Sequence, residues 1–476
     1  MSSQPSAERT YDFLVLGGGS AGSAAAAEAV KLGAKRVAMV NDGELGGLCI
    51  LRGCMPTKSL LHSSDLLHEL RAAEDLGIEP VQPRLDVPAM SERRRQLVAR
   101  FKRGKVSSIE NGGYEVIDGR AVFSGPDEVL VTGPSGEQRL TAKAYLIATG
   151  SKQSRPPIPG LAEAKVWTSN EALEVESAPK SLLIAGAGAI GLEFATFFSA
   201  LGTEVTVVNR SPVLNAGEDP DLSARMKTAL EHLGVRVLAP AKLEIAQSGP
   251  NGFVNRVIAD GETHEIRTER FLLATGRVAN LEGLGLERAG VEVAGGQPVL
   301  DPALRTTNPK IFAAGDAAGQ RLLLHTGNAQ GRHVARQLEK LGQSKPLEPF
   351  EDRVPLAVTF THPPYADAGL RAAQARAAGL DAITATKDWA NQGRGIVMNA
   401  HPGGGFVQLV ADRTNGRLLG AQILGPRADE LIHVVAALLW NRATVHEMLD
   451  MPWYHPTLAE GLLEMARELS NQSGRA

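Results

Sequence analysis

Two segments of this 476-residue chain repeat one pattern: an apolar run, then Gly-x-Gly-x-x-Gly, then residues suited to opening a helix. The first is YDFLVLGGGSAG, Tyr11 to Gly22, and the second is SLLIAGAGAIGLE, Ser181 to Glu193. Three glycines alone also serve ordinary turns, but a strand before them and a helix after them make the pattern meaningful. The first glycine turns the chain, the second lets backbone approach a pyrophosphate, and the third lets the helix pack close to the strand. The helix N-terminus then offers unpaired N–H groups and the positive end of its dipole to phosphate. Gly17, Gly19 and Gly22, and again Gly186, Gly188 and Gly191, are therefore candidate dinucleotide cradles.

Each copy has a distant echo, AYLIATG ending at Gly150 and RFLLATG ending at Gly276. The chain is thus expected to be α/β, with two Rossmann-like dinucleotide-binding domains, the second inserted in the first. Proline-rich SRPPIPG, Ser154 to Gly160, reads as the linker into the insertion, and TTNPKIFAAGDAAG, Thr306 to Gly319, belongs to the return. Near LGQSKPLEPFEDRVP turn residues and charges mark a boundary around residue 345. Beyond it FVQLVAD, GRLLGAQILG and the apolar DELIHVVAALLW suggest an antiparallel sheet with helices, an α+β domain. The expected limits are 10–153 and 277–345 for the first domain, 154–276 for the second and 346–476 for the third.

The only two cysteines, Cys49 and Cys54, both fall in GGLCILRGCMPTK. The start, MSSQPSAERTYDF, has no basic residues followed by an apolar core, so no secretory signal is read and a cytosolic chain is expected. In a reducing compartment a disulfide is more often transient and catalytic than structural. A bridge closing so small a loop would also restrict the unfolded chain only modestly, although a structural staple is the bland alternative. Pro56, Lys58 and SLLHSSDLLHEL read as a helix beginning near Cys54, and a helix N-terminus favours thiolate over thiol. Bridging needs Cα atoms within ~7 Å, so the intervening residues are not extended, and Gly53 helps the chain turn back.

The strand after each cradle should end in a ribose-reading residue. RVAMVND places Asn41 there, with Asp42 beside it, and an amide still bonds ribose hydroxyls. EVTVVNRSP places Asn209 and Arg210. An acid would suit a free 2′-hydroxyl, whereas arginine bonds the extra phosphate of NADP, unless Arg210 sits on a solvated loop. The formal charge of −3 gives no electrostatic case for nucleic acid, and no apolar run reaches the ~20 residues that span a bilayer. SERRRQLVARFKRGK, with seven basic residues, reads as a helix with a solvated basic face, the alternative being an anion-steering patch.

Taken together, Cys-x4-Cys-x-Pro-x-Lys, both glycine fingerprints, both ATG echoes, GDAAG and the terminal HPTLAE resemble the flavin-dependent pyridine nucleotide-disulfide oxidoreductases, from about Tyr11 to about Arg467. That family includes dihydrolipoamide dehydrogenase, glutathione reductase and mercuric reductase. The resemblance implies FAD in the first domain, NAD(P) in the second, and a C-terminal dimerisation domain. It puts Gly17, Gly19 and Gly22 on the FAD pyrophosphate, the Gly119 to Ala121 turn near its adenine, Asp316 on the ribityl chain or phosphate, and the segment ending at His325 along the flavin. Lys58 and Glu193 match the pair that meets near the reactive flavin nitrogen, where a cation stabilises negative charge and its carboxylate limits the cost of burial. Cys54 is implied to face flavin and Cys49 to exchange with substrate. His455 is implied as the acid–base, oriented by Glu460, and acting on the thiols of the other subunit in a two-fold homodimer.

The sequence also departs from the family. Leu48 replaces a usual threonine and Ile50-Leu51-Arg52 replaces an apolar-Asn-Val run. Arg52 would perturb a thiol, meet an anionic substrate or point to water. Ala279 stands at a usual proline, and THPPYADAGL replaces an acidic Pro-Glu turn. An enzyme reducing a small-molecule disulfide with NADPH is the expectation, with NADH as the alternative nucleotide. Its rivals are dihydrolipoamide dehydrogenase acting on a lipoyl arm in a larger assembly, a mercuric reductase, which would normally carry a C-terminal cysteine pair, and a non-catalytic flavin-bound redox sensor.

Overall fold

Phe13, Leu14, Val15 and Leu16 are all fully buried, so the strand Arg9–Leu16 has no solvent face, as a parallel strand covered on both sides requires. Alternate side chains serve different cores. Leu14 and Leu16 pack with Val40 and Ile147, while Phe13 and Val15 pack with Ala25 and Ala29 of the helix Ser20–Lys31. The structure, a computed structural model, describes residues 9–79, 83, 85–215, 219–400 and 404–474. The first eight residues, where no secretory signal is read, lie outside them.

The described residues fall into two compact units. One comprises those of Met1–Pro56, Arg93–Ser154 and Gly276–Asp352. Its sheet places Arg9–Leu16 in parallel between Val37–Asn41 and Gly136–Ile147, with Glu115–Asp118 beyond the first. The long strand Gly136–Ile147 pairs antiparallel with Glu128–Gly133 over its early residues, and in parallel with Ile311–Ala313 over its last three. The segment that returns after residue 276 therefore completes the sheet begun by the N-terminal segment.

The other unit comprises the described residues of Thr57–Glu92, Arg155–Thr275 and Arg353–Ala476. Among them is a four-stranded parallel sheet in the order Arg236–Leu238, Glu204–Val208, Ser181–Ala185, Arg270–Leu273. The burial of the first cradle's strand recurs: Leu182 and Ile184 enter one core, Leu183 and Ala185 the other. A three-stranded antiparallel meander runs over Ala241–Gly249, Gly252–Ala259 and Glu262–Thr268. The C-terminal sheet is antiparallel throughout and five-stranded among the described residues, with Phe406–Asp412 and Leu418–Leu424 buried along their whole length. Among the described residues no helix is long and apolar enough to cross a membrane.

The basic segment corrects one expectation. It lies in the helix Val87–Glu110, but its basic face is not wholly solvated. Arg94 is buried, and Lys105 is half-buried with its Nζ donating to Ser23 Oγ at 2.7 Å.

Candidate active site

The two glycine turns are built alike. Gly17 has φ +116° and Gly186 φ +109°, the left-handed region where a side chain is strained. A Cβ on Gly17 would lie 2.3 Å from the carbonyl oxygen of Ala148, and one on Gly186 would lie 2.4 Å from that of Ala274. Ala148 and Ala274 are the alanines of the two ATG echoes, so each echo is the wall against which a glycine turn packs. A Cβ on Gly22 or Gly191 would collide with the carbonyl of Gly17 or Gly186 at 2.0 Å. By contrast, the added Cβ of Gly19 or Gly188 meets nothing within 4 Å. These two are the N-caps of the helices Ser20–Lys31 and Ala189–Ala200, and neither helix has a side-chain cap. Open space beside an uncapped helix N-terminus, twice, fits the pyrophosphates of FAD and of a pyridine nucleotide.

The strand-end asparagines are twins as well. Asn41 Oδ1 accepts from Gly18 N–H at 3.1 Å and its Nδ2 donates to the Gly43 carbonyl at 2.7 Å. Asn209 Oδ1 accepts from Ala187 N–H at 3.2 Å, and its Nδ2 donates to the carbonyls of Ser211 and Val213 at 2.8 and 3.2 Å. Each amide fastens its glycine turn to the loop after the strand. Asn209 spends both its donors there, leaving one acceptor site on its oxygen. Asp42 and Arg210, next in sequence, are exposed.

Two polar residues that the sequence reading did not single out directly follow the echoes. Ser151 Oγ donates to Asp316 Oδ2 at 2.5 Å, while Arg277 donates through Nε to Ser151 Oγ at 2.8 Å and through Nη2 to the Ser151 carbonyl at 2.7 Å. Burial holds the Arg277 guanidinium below its ordinary pKa, with Asp316 opposing that shift and Arg52 reinforcing it. Their strands, Ser151–Gln153 and Arg277–Ala279, pair antiparallel. The signal that would have found them is the shared offset, one residue past each ATG.

Cys49 lies on a short helix, Gly47–Arg52, absent from the sequence expectation, and Cys54 opens the helix Cys54–Arg71 as anticipated. Between them a Cβ on Gly53 would sit 2.9 Å from the Leu48 carbonyl oxygen and 3.1 Å from Cys49 Cα. The chain folds back on itself so tightly that only a residue without a side chain fits. Both cysteines are half-exposed. Pro56 lies in the first helical turn, where its missing N–H costs nothing.

Lys58 and Glu193, 135 residues apart, meet: Lys58 Nζ donates to both carboxylate oxygens at 2.8 Å. Glu193 is buried and also accepts the backbone N–H of Phe360 at 3.1 Å, while Lys58 Nζ stands 4.6 Å from the centroid of the Phe360 ring. Phe360 contributes through its backbone and its ring face, which residue type alone does not announce. His455 Nδ1 is 3.0 and 3.2 Å from the Glu460 carboxylate oxygens, and Glu460 also accepts Thr457 N–H at 2.9 Å. The Thr457 amide, and then His455, hold the Glu460 carboxyl below the ordinary carboxylate range. A carboxylate fixed on Nδ1 sets the imidazole tautomer and leaves Nε2 for proton transfer. The His455 side chain is 78% exposed, so that nitrogen is accessible on this chain.

The remaining candidates are spread more loosely. Gly119 has φ +153° at the turn into Arg120–Phe123, in which Ala121 is a buried strand residue. Gly150 and Gly276 have positive φ and open surroundings. His325 is exposed in the first turn of the helix Leu324–Gly342.

Over residues 11–335 the sequence matches the family described as pyridine nucleotide-disulphide oxidoreductase, and over 355–466 the dimerisation domain of the same name. The dihydrolipoyl dehydrogenase of Zymomonas mobilis subsp. mobilis is 33% identical over 456 residues, spanning 95% of this chain and 97% of the relative. The mercuric reductase of Streptomyces lividans is 34% identical over 458 residues, spanning 95% and 94%. Among solved structures, the HOCl-induced flavoprotein disulfide reductase RclA from Escherichia coli, as a Cu(II) complex, superposes with TM-score 0.82 at 26% identity, covering 97% of this chain and 99% of that one. LpdA from Mycobacterium tuberculosis superposes with TM-score 0.84 at 27% identity, with the same coverage.

Proposed function

Because the chain belongs to the pyridine nucleotide-disulphide oxidoreductase family, and so is a flavoprotein oxidoreductase that uses FAD and a pyridine nucleotide, we propose that it reduces a disulfide substrate with NADPH through a Cys49–Cys54 redox pair. The observation that carries this reading is the fold-back at Gly53, which holds the Cys49 backbone against the start of the helix that Cys54 opens. FAD, held at the cradle of Gly17, Gly19 and Gly22, would supply two-electron transfer between the reduced nucleotide and the bridge formed by these thiols. Cys54, at a helix N-terminus, is favoured as thiolate. Lys58, fastened by Glu193, provides the cation that favours negative charge on the cofactor. Cys49 attacks one substrate sulfur, forming a mixed disulfide and expelling a thiolate, which His455 protonates. Cys54 then attacks Cys49 Sγ, closing the bridge and releasing the second thiol.

NADPH follows from the pair at the end of the second cradle's strand, with Asn209 holding the turn and Arg210 exposed beside it. The domains we assign are 10–153 with 277–345 for FAD, 154–276 for the nucleotide and 346–476 for dimerisation, and the working assembly is a homodimer in a reducing cytosol. Lipoyl oxidation is the second reading, favoured by the likeness to dihydrolipoyl dehydrogenase over nearly the whole chain. Titration of the holoenzyme with one equivalent of NADPH tests the assignment. A long-wavelength absorption band should appear and be lost in Cys54→Ser; a wild-type protein without the band would remove Cys54 from this role. Turnover with lipoamide, glutathione disulfide and Hg(II) then separates the substrate classes.

A further inference from the structure

We propose that Arg52 selects disulfide substrates carrying an anionic group, such as a carboxylate, within about one helical turn of the sulfur–sulfur bond. This rests on the reading that Cys49 is the thiol exchanging with substrate. Cys49 and Arg52 are three residues apart on the helix Gly47–Arg52, so they share a face with Cβ atoms ~5–6 Å apart. Cys49 is half-exposed and Arg52 exposed, so an incoming group that reaches the sulfur also reaches the guanidinium.

Arg52 has no hydrogen bond or ion pair among the described residues. Its charge falls on a second cation, Arg277, which it pushes towards losing its proton, while Asp316 opposes that push. Arg277 is occupied by Ser151 through Nε and Nη2, and Ser151 in turn by Asp316. Asp316 is thus committed to the Ser151–Arg277 cluster, and the exposed guanidinium beside the thiol has no carboxylate of its own. The negative end of a six-residue helix accounts for a cation in its last turn, but not for two guanidinium groups within electrostatic reach of each other. A substrate anion supplies the missing charge.

The exchange is otherwise the one above. The Cys49 thiolate bonds to one substrate sulfur, the substrate S–S bond breaks with its electron pair on the departing thiolate, and that thiolate takes a proton. Cys54 then displaces the second thiolate, so two electrons from the dithiol yield two substrate thiols. Arg52 takes no proton and no electron. It orients the substrate, and across ~6 Å in partly screened solvent its charge is worth roughly 3- to 30-fold.

The test uses the reduced holoenzyme and two alkylating probes of similar size, anionic iodoacetate and neutral iodoacetamide, with the modified cysteine mapped by mass spectrometry. Arg52→Gln should lower the iodoacetate-to-iodoacetamide rate ratio at Cys49 by at least about 3-fold, and Arg52→Glu by more. Arg52→Lys should keep most of it, and about 0.5 M salt should flatten the difference. In turnover, the KM for dianionic 5,5′-dithiobis(2-nitrobenzoate) should rise in Arg52→Gln while that for neutral lipoamide stays level. An unchanged rate ratio in Arg52→Gln and Arg52→Glu overturns the proposal. Loss of bound FAD with an unchanged ratio overturns it too, and gives Arg52 to the cofactor instead. If alkylation maps to Cys54 rather than Cys49 in every variant, the underlying exchange assignment fails, whatever Arg52 does.

Discussion

Both amide protons of Asn209 are committed to the carbonyls of Ser211 and Val213, so the charged side chain left to meet a nucleotide at that strand end is Arg210. A charge-assisted bond to phosphate is worth ~1.5–3 kcal/mol. Arg210→Glu should therefore raise the dissociation constant of NADP⁺ at least about 10-fold while moving that of NAD⁺ little, as read by fluorescence titration. Equal changes for both would remove Arg210 from 2′-phosphate recognition. At this scale residue identities were legible in the sequence and commitments were not. Asn41 and Asn209 stood out by position, but that each ties down a glycine turn depends on a loop carbonyl two residues on. Glu193 with Lys58, and His455 with Glu460, were implied by resemblance, and the hydrogen bonds that join them are in place. Phe360 was missed because it acts through an N–H and a ring face.

The helix that Cys54 opens carries a second titratable anchor nearly four turns beyond that thiol. His68 is buried, with Nε2 3.1 Å from the Thr196 carbonyl on the helix Ala189–Ala200 and its ring stacked at 5.0 Å on His362. Burial, then the charge of His362, lower its pKa from 6.5 to about 4, with Arg71 acting in the same direction and Asp65 against it. The unfolded chain takes up this proton near the ordinary value. Stability is therefore whole above pH 7 and falls as pH drops from about 6.5 towards 4, by about 2 kcal/mol between pH 7 and 5. Urea midpoints should show that loss in wild type and a smaller one in His68→Gln, which keeps a donor for Thr196; equal losses would clear His68. Elements were the most legible level, because strands and helices follow from periodicity. The basic helix shows where that fails: Arg94, Val98, Phe101, Lys105 and Ile109 recur at helical spacing. Two cations on that stripe bury their apolar stems, which a count of charges conceals.

For the whole molecule, the dimerisation match and the proposed reach of His455 to the partner's thiols make a prediction about mixtures. Cys49→Ser and His455→Gln homodimers should each be nearly inactive. Dissociated and reassociated one to one, half the dimers are mixed and each of these holds one complete site, so about a quarter of wild-type activity should return. No recovery, with mixed dimers verified by mass, would place each histidine on its own subunit's thiols. The parallel sheets and the insertion were legible from the doubled glycine pattern and its echoes, because a chain that leaves a sheet must come back to it. What could not be read was how it comes back. Ser151–Gln153 and Arg277–Ala279 run side by side in opposite directions, with Gln153 opposite Arg277 and the Ser154 N–H bonded to the Gly276 carbonyl. The exit and re-entry points of the excursion from residue 155 to 275 are thus adjoining rungs of one ladder. Because its two ends meet on neighbouring rungs, the excursion is closed off from the strands that flank it, and a change of length anywhere between residues 155 and 275 need not disturb the pairing of Ser151–Gln153 with Arg277–Ala279.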